Sequence, residues 1–173
     1  MSEANQIATN RVAAFQQELR KNLVLDVDGV LTDGKFTYSD QGKFSKTFGS
    51  HDSDALKIIR SAANLIFISA DKRGFEISKS RINDMNFDLL LVEAEERADF
   101  IRKVKLEGSA AFIGDSFTDV PALREATLSL VPKGAHPLAK AHADIVLSSN
   151  GGDGAVAEAC ILLFPELFEW AIK

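Results

Sequence analysis

Apolar residues gather in short runs closed by Asp, Gly or Ser, and the stretches between them repeat at helical spacing. The runs near 23–27, 64–69, 87–92, 109–114, 127–131 and 143–148 read as strands. The stretches near 53–63, 73–85, 95–107, 118–125, 136–141 and 154–171 read as helices. A first helix, over about 6–20 of the N-terminal segment 1–21, carries Ile7, Val12, Phe15 and Leu19. Strands that alternate with helices build βαβ units on a parallel sheet. The pattern therefore predicts a single α/β domain over 1–173, a Rossmann-like three-layer sandwich around a central parallel sheet.

One segment breaks the alternation. Residues 35–48 alternate apolar and polar around Ser39-Asp40-Gln41-Gly42, which is a hairpin pattern. The hairpin and one helix consume most of the chain between Asp28 and Ser69, and only a helix, a strand and a helix separate Ser69 from Asp115. These intervals leave no room for a large cap domain.

The ends of three strands carry the candidate chemistry. Leu23-Val24-Leu25 runs into Asp26 and Asp28, the run at 64–69 ends in Ser69, and the run at 109–113 ends in Gly114-Asp115 with Asp119 beyond. Ligands bind outside the carboxyl ends of parallel strands. If these strands are neighbours, four carboxylates and a hydroxyl gather in one cleft. Such acids repel one another unless a cation lies between them or they differ in protonation. Oxygen ligands of this kind suit magnesium. A solvated strand-to-loop turn is the plainer reading of Asp26-Val27-Asp28-Gly29.

Composition narrows the picture further. A formal charge of −5 argues against nucleic acid or an anionic membrane as partner. The lone Cys160 permits no internal disulfide. No apolar run approaches the ~18 residues of a membrane-spanning helix, and the first residues form no apolar signal core. A cytoplasmic protein is expected.

The ordered set Asp26-Val27-Asp28-Gly29, Ser69 and Gly114-Asp115 followed by Asp119 resembles the motifs of the haloacid dehalogenase (HAD) superfamily of phosphatases. More narrowly, the chain resembles the 3-deoxy-D-manno-octulosonate 8-phosphate phosphatase group. That match rests on Val30-Leu31-Thr32-Asp33-Gly34, on Lys46-Thr47-Phe48 with Asp52, on Ala135-His136-Pro137 and on the stretch from Gly151 to Glu158. The resemblance implies a magnesium-dependent hydrolase of a phosphorylated sugar acid. The substrate would be an eight- or nine-carbon 3-deoxy-2-ulosonic acid phosphate. The hairpin would be the family's flap, and a homotetramer would cover each site with a neighbour's flap.

The resemblance also implies roles. Asp26 would be the nucleophile, or else a pure metal ligand. Asp28 would be the general acid and base, its backbone carbonyl reaching the metal. Ser69 would hold a phosphoryl oxygen, although it could equally cap the next helix. Gly29 would let backbone amides approach the phosphate, or serve as a simple turn glycine. Asp115 would bind the metal with Asp26 and Asp28, and Asp119 would orient the groups around it or merely open a helix. Asp52, Ser53 and Ala70 are candidates for substrate contact, with Asp52 also fitting a helix cap.

Several positions depart from the group. Ala70-Asp71 stands where Gly and a basic residue are usual, Ser116 where Asp is, and Asp153 where a basic residue is. Arg97 takes the place of a Lys expected to neutralise the nucleophile; its plain reading is a surface helix residue, with Lys103 and Lys105 as substitutes and Lys72 and Arg73 near the site in sequence. These departures support a second reading, a catalytically impaired relative acting as a binding or oligomerisation module. His51 and His136 lack the spacing of a metal cluster.

Overall fold

Leu23, Val24 and Leu25 are all fully buried, a state open to a strand when helices cover both faces of its sheet. The computed structural model describes residues 3–172 and shows that cover. The first half comprises α1 (Glu3–Gln17), β1 (Lys21–Asp26), β2 (Thr37–Ser39), β3 (Gly42–Ser45), α2 (Ser50–Ile59), β4 (Asn64–Ser69), α3 (Phe75–Asp84) and β5 (Leu89–Leu91). The second half comprises α4 (Arg97–Val104), β6 (Ser109–Ile113), α5 (Val120–Glu125), β7 (Leu128–Val131), α6 (Pro137–His142), β8 (Ile145–Val146), α7 (Ala155–Leu163) and α8 (Glu169–Ile172).

The 6-stranded sheet is parallel throughout, in the order β5-β4-β1-β6-β7-β8. Alternate side chains of β1 enter opposite cores. Leu23 and Leu25 join Phe67 and Ile113 beneath α1, α2, α3 and α7, where Phe15, Leu56, Ile59, Ile82 and Leu163 are buried. Val24 joins Ile68 and Phe112 beneath α4, α5 and α6, against Ile101, Leu123 and Ala139. Each such side chain contributes about 1.5–3 kcal/mol over its exposed state. The sheet is thereby a rigid platform.

From β1 the chain moves outward to β4 and β5, then returns past β1 to β6, β7 and β8. That reversal opens a crevice at the strands' carboxyl ends. Asp26 pairs in register with Ile68, and Leu25 with Ile113. Asp26, Ser69 and the Gly114-Asp115 turn therefore open side by side. The expected α/β sandwich without a large cap domain is present. β2 and β3 form the expected hairpin, and a bridge from Thr32 to Phe48 fixes its base.

Four boundaries differ from expectation. The helix expected over 154–171 breaks at Phe164, before Pro165, into α7, a 3-10 turn and α8. Proline has no N–H to continue the helix and disfavours helical geometry at the preceding residue. The strand expected over 143–148 shortens to Ile145–Val146. α2 begins at Ser50, ahead of the expected start. The N-terminal helix starts earlier and ends at Gln17, so Leu19 falls in the following turn, 99% exposed, and Ile7 is also exposed. Phe15 and Val12 carry the packing of that helix. Among the described residues, no helix is long and apolar enough to cross a membrane.

Candidate active site

The carboxylate wall grows directly from the sheet. Asp26, Arg97 and Asp119 are all buried. Arg97, the first residue of α4, donates from Nη2 to Asp26 Oδ1 at 2.9 Å and from Nη1 to Asp119 Oδ1. The forked guanidinium reaches two carboxylates at once, which an ammonium point charge does not reproduce. Asp119 Oδ2 accepts the backbone N–H groups of Asp115 at 3.0 Å and Ser116 at 2.9 Å. Ser116 in turn caps the 3-10 turn Phe117–Asp119, with its hydroxyl accepting from the Thr118 N–H. Asp119 thus fixes the turn that carries Asp115. A side chain at Gly114 would come within 2.8 Å of that carboxylate, so glycine keeps the turn close.

One guanidinium does not neutralise this wall. Asp26, Asp115 and Asp119 each offer an oxygen within 4.8 Å of the others. Burial, reinforced by Asp119, Asp115 and Asp28, holds the Asp26 carboxyl above its usual pKa against the opposing pull of Arg97. Burial and the Asp119 charge push Asp115 up to about 7, again against Arg97. Burial alone would lower the Arg97 pKa, yet Asp26 and Asp119 hold it above normal. Three clustered carboxylates facing one permanent cation carry excess negative charge when all are ionised, and the raised pKa values are the response to it. Hard oxygen donors with that imbalance fit a divalent cation such as magnesium.

Gly29 has φ +84, and a Cβ there would lie 2.0 Å from Asp115 Oδ2. Its N–H donates to Thr32 Oγ1 at 3.0 Å. The glycine makes room for Asp115, and its amide is engaged within its own turn. The Gly151-Gly152 loop packs onto the same turn, the Gly152 N–H donating to the Val30 carbonyl at 3.0 Å. A side chain at Gly151 would collide with the Gly29 carbonyl. Asp153, in that loop, lies with Asp33, Lys35 and Asn150 around a second cavity that shares Gly29 and Asp115 with the site.

The opposite wall comes from the hairpin and the loop after β4. Ser69 Oγ donates to Asp28 Oδ2 at 3.1 Å and accepts the Asp71 N–H at 3.1 Å. Lys46 Nζ lies 2.7 Å from Asp28 Oδ1, an ion pair not aligned as a hydrogen bond, and 2.8 Å from Asp71 Oδ2. Lys43 Nζ donates to Asp71 Oδ2 at 2.5 Å and sits 3.4 Å from the centre of the Phe36 ring. Partial burial would raise the Asp71 pKa, but the two lysines hold it below the usual range. A cleft of about 360 Å³ separates the walls, bordered by Asp26, Asp28, Phe36, Lys43, Ala70, Asp71, Arg97 and Asp115.

Asp26, Asp28, Ser69, Ala70, Arg97, Asp115 and Asp119 therefore converge as expected. Asp52 and Ser53 do not line the cleft. Asp52 is buried in the first turn of α2 and accepts the Ala157 N–H at 2.9 Å, capping α7 rather than its own helix. Ser53 Oγ donates to the Ser50 carbonyl. Lys72 pairs with Glu93, and Lys105 reaches the Glu125 carbonyl, both at the surface. Lys103 borders a different groove, beside Leu90 and Phe100. The flap lysines Lys43 and Lys46 were absent from the sequence-derived site. Their place on the return arm of a hairpin that follows Asp28 was the available signal.

The aromatic residues of the hairpin also divide. Phe36 turns inward beneath Lys43, and Phe48 packs on the core. Tyr38 and Phe44 face solvent, 58% and 70% exposed.

No family model matches the chain. The chain is 31% identical over 151 residues to the 3-deoxy-D-manno-octulosonate 8-phosphate phosphatase KdsC of Haemophilus influenzae, with 83% of each chain covered. The cobalt-bound deoxy-D-mannose-octulosonate 8-phosphate phosphatase YrbI of Haemophilus influenzae has a TM-score of 0.76 at 27% identity, covering 89% of this chain and 92% of that one. A 3-deoxy-D-manno-octulosonate 8-phosphate phosphatase of Moraxella catarrhalis, in complex with magnesium, phosphate and KDO, shares the fold with a TM-score of 0.77 at 22% identity, covering 100% of this chain and 99% of that one. With the ordered strand-end motifs and a relative this similar over most of its length, the chain belongs to the KdsC-like, 3-deoxy-D-manno-octulosonate 8-phosphate phosphatase group of the HAD superfamily.

Proposed function

We propose that this protein is a magnesium-dependent phosphomonoester hydrolase acting on a 3-deoxy-2-ulosonic acid phosphate. The eight-carbon 8-phosphate or a nine-carbon 9-phosphate relative is the substrate. The observation that carries the reading is the buried bridge from Arg97 to Asp26 and Asp119, with Asp28 and Asp115 bordering the same cleft. The group to which the chain belongs, and the magnesium and phosphate bound by its Moraxella relative, support it.

In this reading Asp26 attacks phosphorus through Oδ2, because Arg97 engages Oδ1. An Asp26–phosphorus bond forms and the ester P–O bond breaks. Asp28 gives its proton to the departing sugar oxygen. Asp28 then takes a proton from a water, whose oxygen attacks the aspartyl-phosphate and releases inorganic phosphate with Asp26 restored. Ser69 orients Asp28 in the free protein and donates to a phosphoryl oxygen when substrate arrives. Arg97 opposes the negative charge that grows as the phosphoryl group transfers. Asp26, Asp115 and the Asp28 backbone carbonyl would hold the magnesium, with Asp119 securing Asp115 and Arg97. When bound, the ion neutralises the phosphate and the facing carboxylates, the role hard cations serve in phosphoryl transfer.

We also infer a homo-oligomer, most simply a tetramer, that covers the outward aromatic residues Tyr38 and Phe44. Exposed aromatic surface on a short protruding element is seldom left without a partner. A panel of sugar-acid phosphates, assayed with magnesium and with excess chelator, tests the function. Turnover of the 3-deoxy-2-ulosonic acid phosphates with magnesium is expected. Undiminished turnover in chelator would refute the metal, and no turnover of any ester would favour the impaired-module alternative.

A further inference from the structure

The flap is fastened to its own cleft by a charged cluster outside the carboxylate wall. The Lys46 side chain is fully buried, and its ammonium has three donors. The ammonium donates to Ser78 Oγ at 2.7 Å and forms ion pairs with Asp28 Oδ1 at 2.7 Å and Asp71 Oδ2 at 2.8 Å. Lys43, almost as buried, adds a second ammonium to Asp71 and rests on Phe36. With Asp28 ionised, two lysines balance two aspartates, and the net charge of this wall rises by one when Asp28 takes up a proton.

The backbone leaves a space for the cluster. A Cβ at Gly74 would meet Asp71 Oδ2 at 2.3 Å and the Lys43 and Lys46 stems at 2.7 Å each. The Gly74 N–H donates to Asp71 Oδ1 at 3.1 Å, fixing the carboxylate from its other side. Asp28 is likewise held at both oxygens, by Ser69 on Oδ2 and Lys46 on Oδ1.

We infer that Asp71 is a positioning residue that draws Lys43 and Lys46 of the flap into the cleft of their own chain, so that Lys46 seats the Asp28 carboxylate. The inference rests on the phosphatase reading for its kinetic consequence. Its structural consequence, a flap latched in cis, does not depend on turnover. The aspartate that replaces a basic residue after β4 thereby brings two cations from the hairpin in exchange.

Two variants separate the latch from general damage. Asp71→Asn keeps the acceptor for Gly74 and removes the charge. Gly74→Ala keeps every charge and obstructs the stems. Amide hydrogen exchange on the full-length protein without substrate is expected to accelerate over residues 36–48 by about 10-fold or more in each, with the sheet strands unchanged. With a 3-deoxy-2-ulosonic acid phosphate, whose alkoxide leaving group needs a proton, and magnesium, kcat should fall about 10-fold in Asp71→Asn while KM stays within about threefold, because only the placement of Asp28 is lost. Asp71→Glu should recover much of both signals. Flap exchange that stays at the wild-type rate in both variants would overturn the latch. A flap that loosens while kcat holds would overturn the positioning of Asp28. A wild type without turnover that still shows the flap response would refute the phosphatase reading and leave the latch standing.

Discussion

The two walls of the cleft are built on opposite electrostatic plans. The wall on the sheet gathers Asp26, Asp115 and Asp119 around one guanidinium, on strand ends that the two cores hold rigid. The wall on the flap pairs Lys43 and Lys46 with Asp28 and Asp71, on a hairpin and a loop. An unbalanced, immobile cluster is suited to capture a cation. A balanced cluster is suited to fasten the hairpin to the cleft without adding net charge. In the proposed mechanism the sheet would supply the charge for the chemistry, and the flap would place Asp28, the proposed acid.

The sharpest way to break this contrast is at Asp26, the proposed nucleophile. Asp26→Asn should lower turnover by on the order of 10⁴-fold or more, since an amide does not attack phosphorus. A steady-state assay of a well-folded variant measures it, and near-normal turnover would remove Asp26 from the mechanism. Arg97→Ala comes next, at on the order of 10²–10³-fold in kcat. It also strands two buried carboxylates, a change that costs about 3–5 kcal/mol where a buried pair loses one partner. A thermal melt beside the assay separates the two losses. Arg97→Lys should retain much of the activity, yet melt below wild type because one ammonium cannot fork to Asp26 and Asp119.

A metal and pH experiment tests the imbalance itself. Asp115 has a folded pKa of about 7 against an ordinary 3.8, mainly through burial. The native state therefore keeps a proton that the unfolded chain releases. By linkage, stability falls as pH rises from about 4 to about 7 and then levels off. Asp26, held up by burial in the same cluster, contributes in the same direction. The metal-free protein should thus melt lower at pH 8 than at pH 5.5. Magnesium should raise the melting temperature more at pH 8, where the carboxylates are charged. Asp115→Ala should flatten the slope and weaken the response. A melting temperature that climbs across this range in wild-type protein without metal would contradict the burial of excess charge.

The legible part of the molecule follows the same division. Apolar runs ending in Asp, Ser or Gly locate strand ends, and a parallel sheet turns strand ends into a site, so Asp26, Ser69 and Asp115 could be read before any fold was known. Pro165 is legible too: it interrupts the apolar helical pattern over 154–171 because it lacks an N–H and disfavours helical geometry at Phe164. Asp52 misled for a physical reason: an aspartate opening a helix looks like its own cap, whereas packing of α2 on α7 hands its carboxylate to Ala157. The flap lysines were legible only in part: Lys46 stands in the Lys46-Thr47-Phe48 motif and both lie on the return arm of the hairpin, but neither fact says what they touch. Alternation identifies a hairpin but not the way it folds, and whether Lys43 and Lys46 meet solvent or Asp71 depends on tertiary contacts with α3.

The smallest expected effect on turnover lies on the outer face of the same hairpin. Phe36 stacks on Lys43 and borders the cleft, while Tyr38 and Phe44 are more exposed and do not border it. If the flap serves its own chain, the inner face is for closure and the outer face for association. Tyr38→Ser with Phe44→Ser should then shift the protein from oligomer to monomer in light scattering at micromolar concentration. Turnover per chain should change by less than about threefold, because no group facing the cleft is altered. Mixed refolding sharpens the point. Lys46→Met chains refolded with Asp26→Asn chains should regain no activity, since each cleft still lacks its own flap lysine or its own nucleophile. Recovery in that mixture, or turnover lost in step with assembly, would show that a neighbour's flap completes the site and that cis closure is wrong.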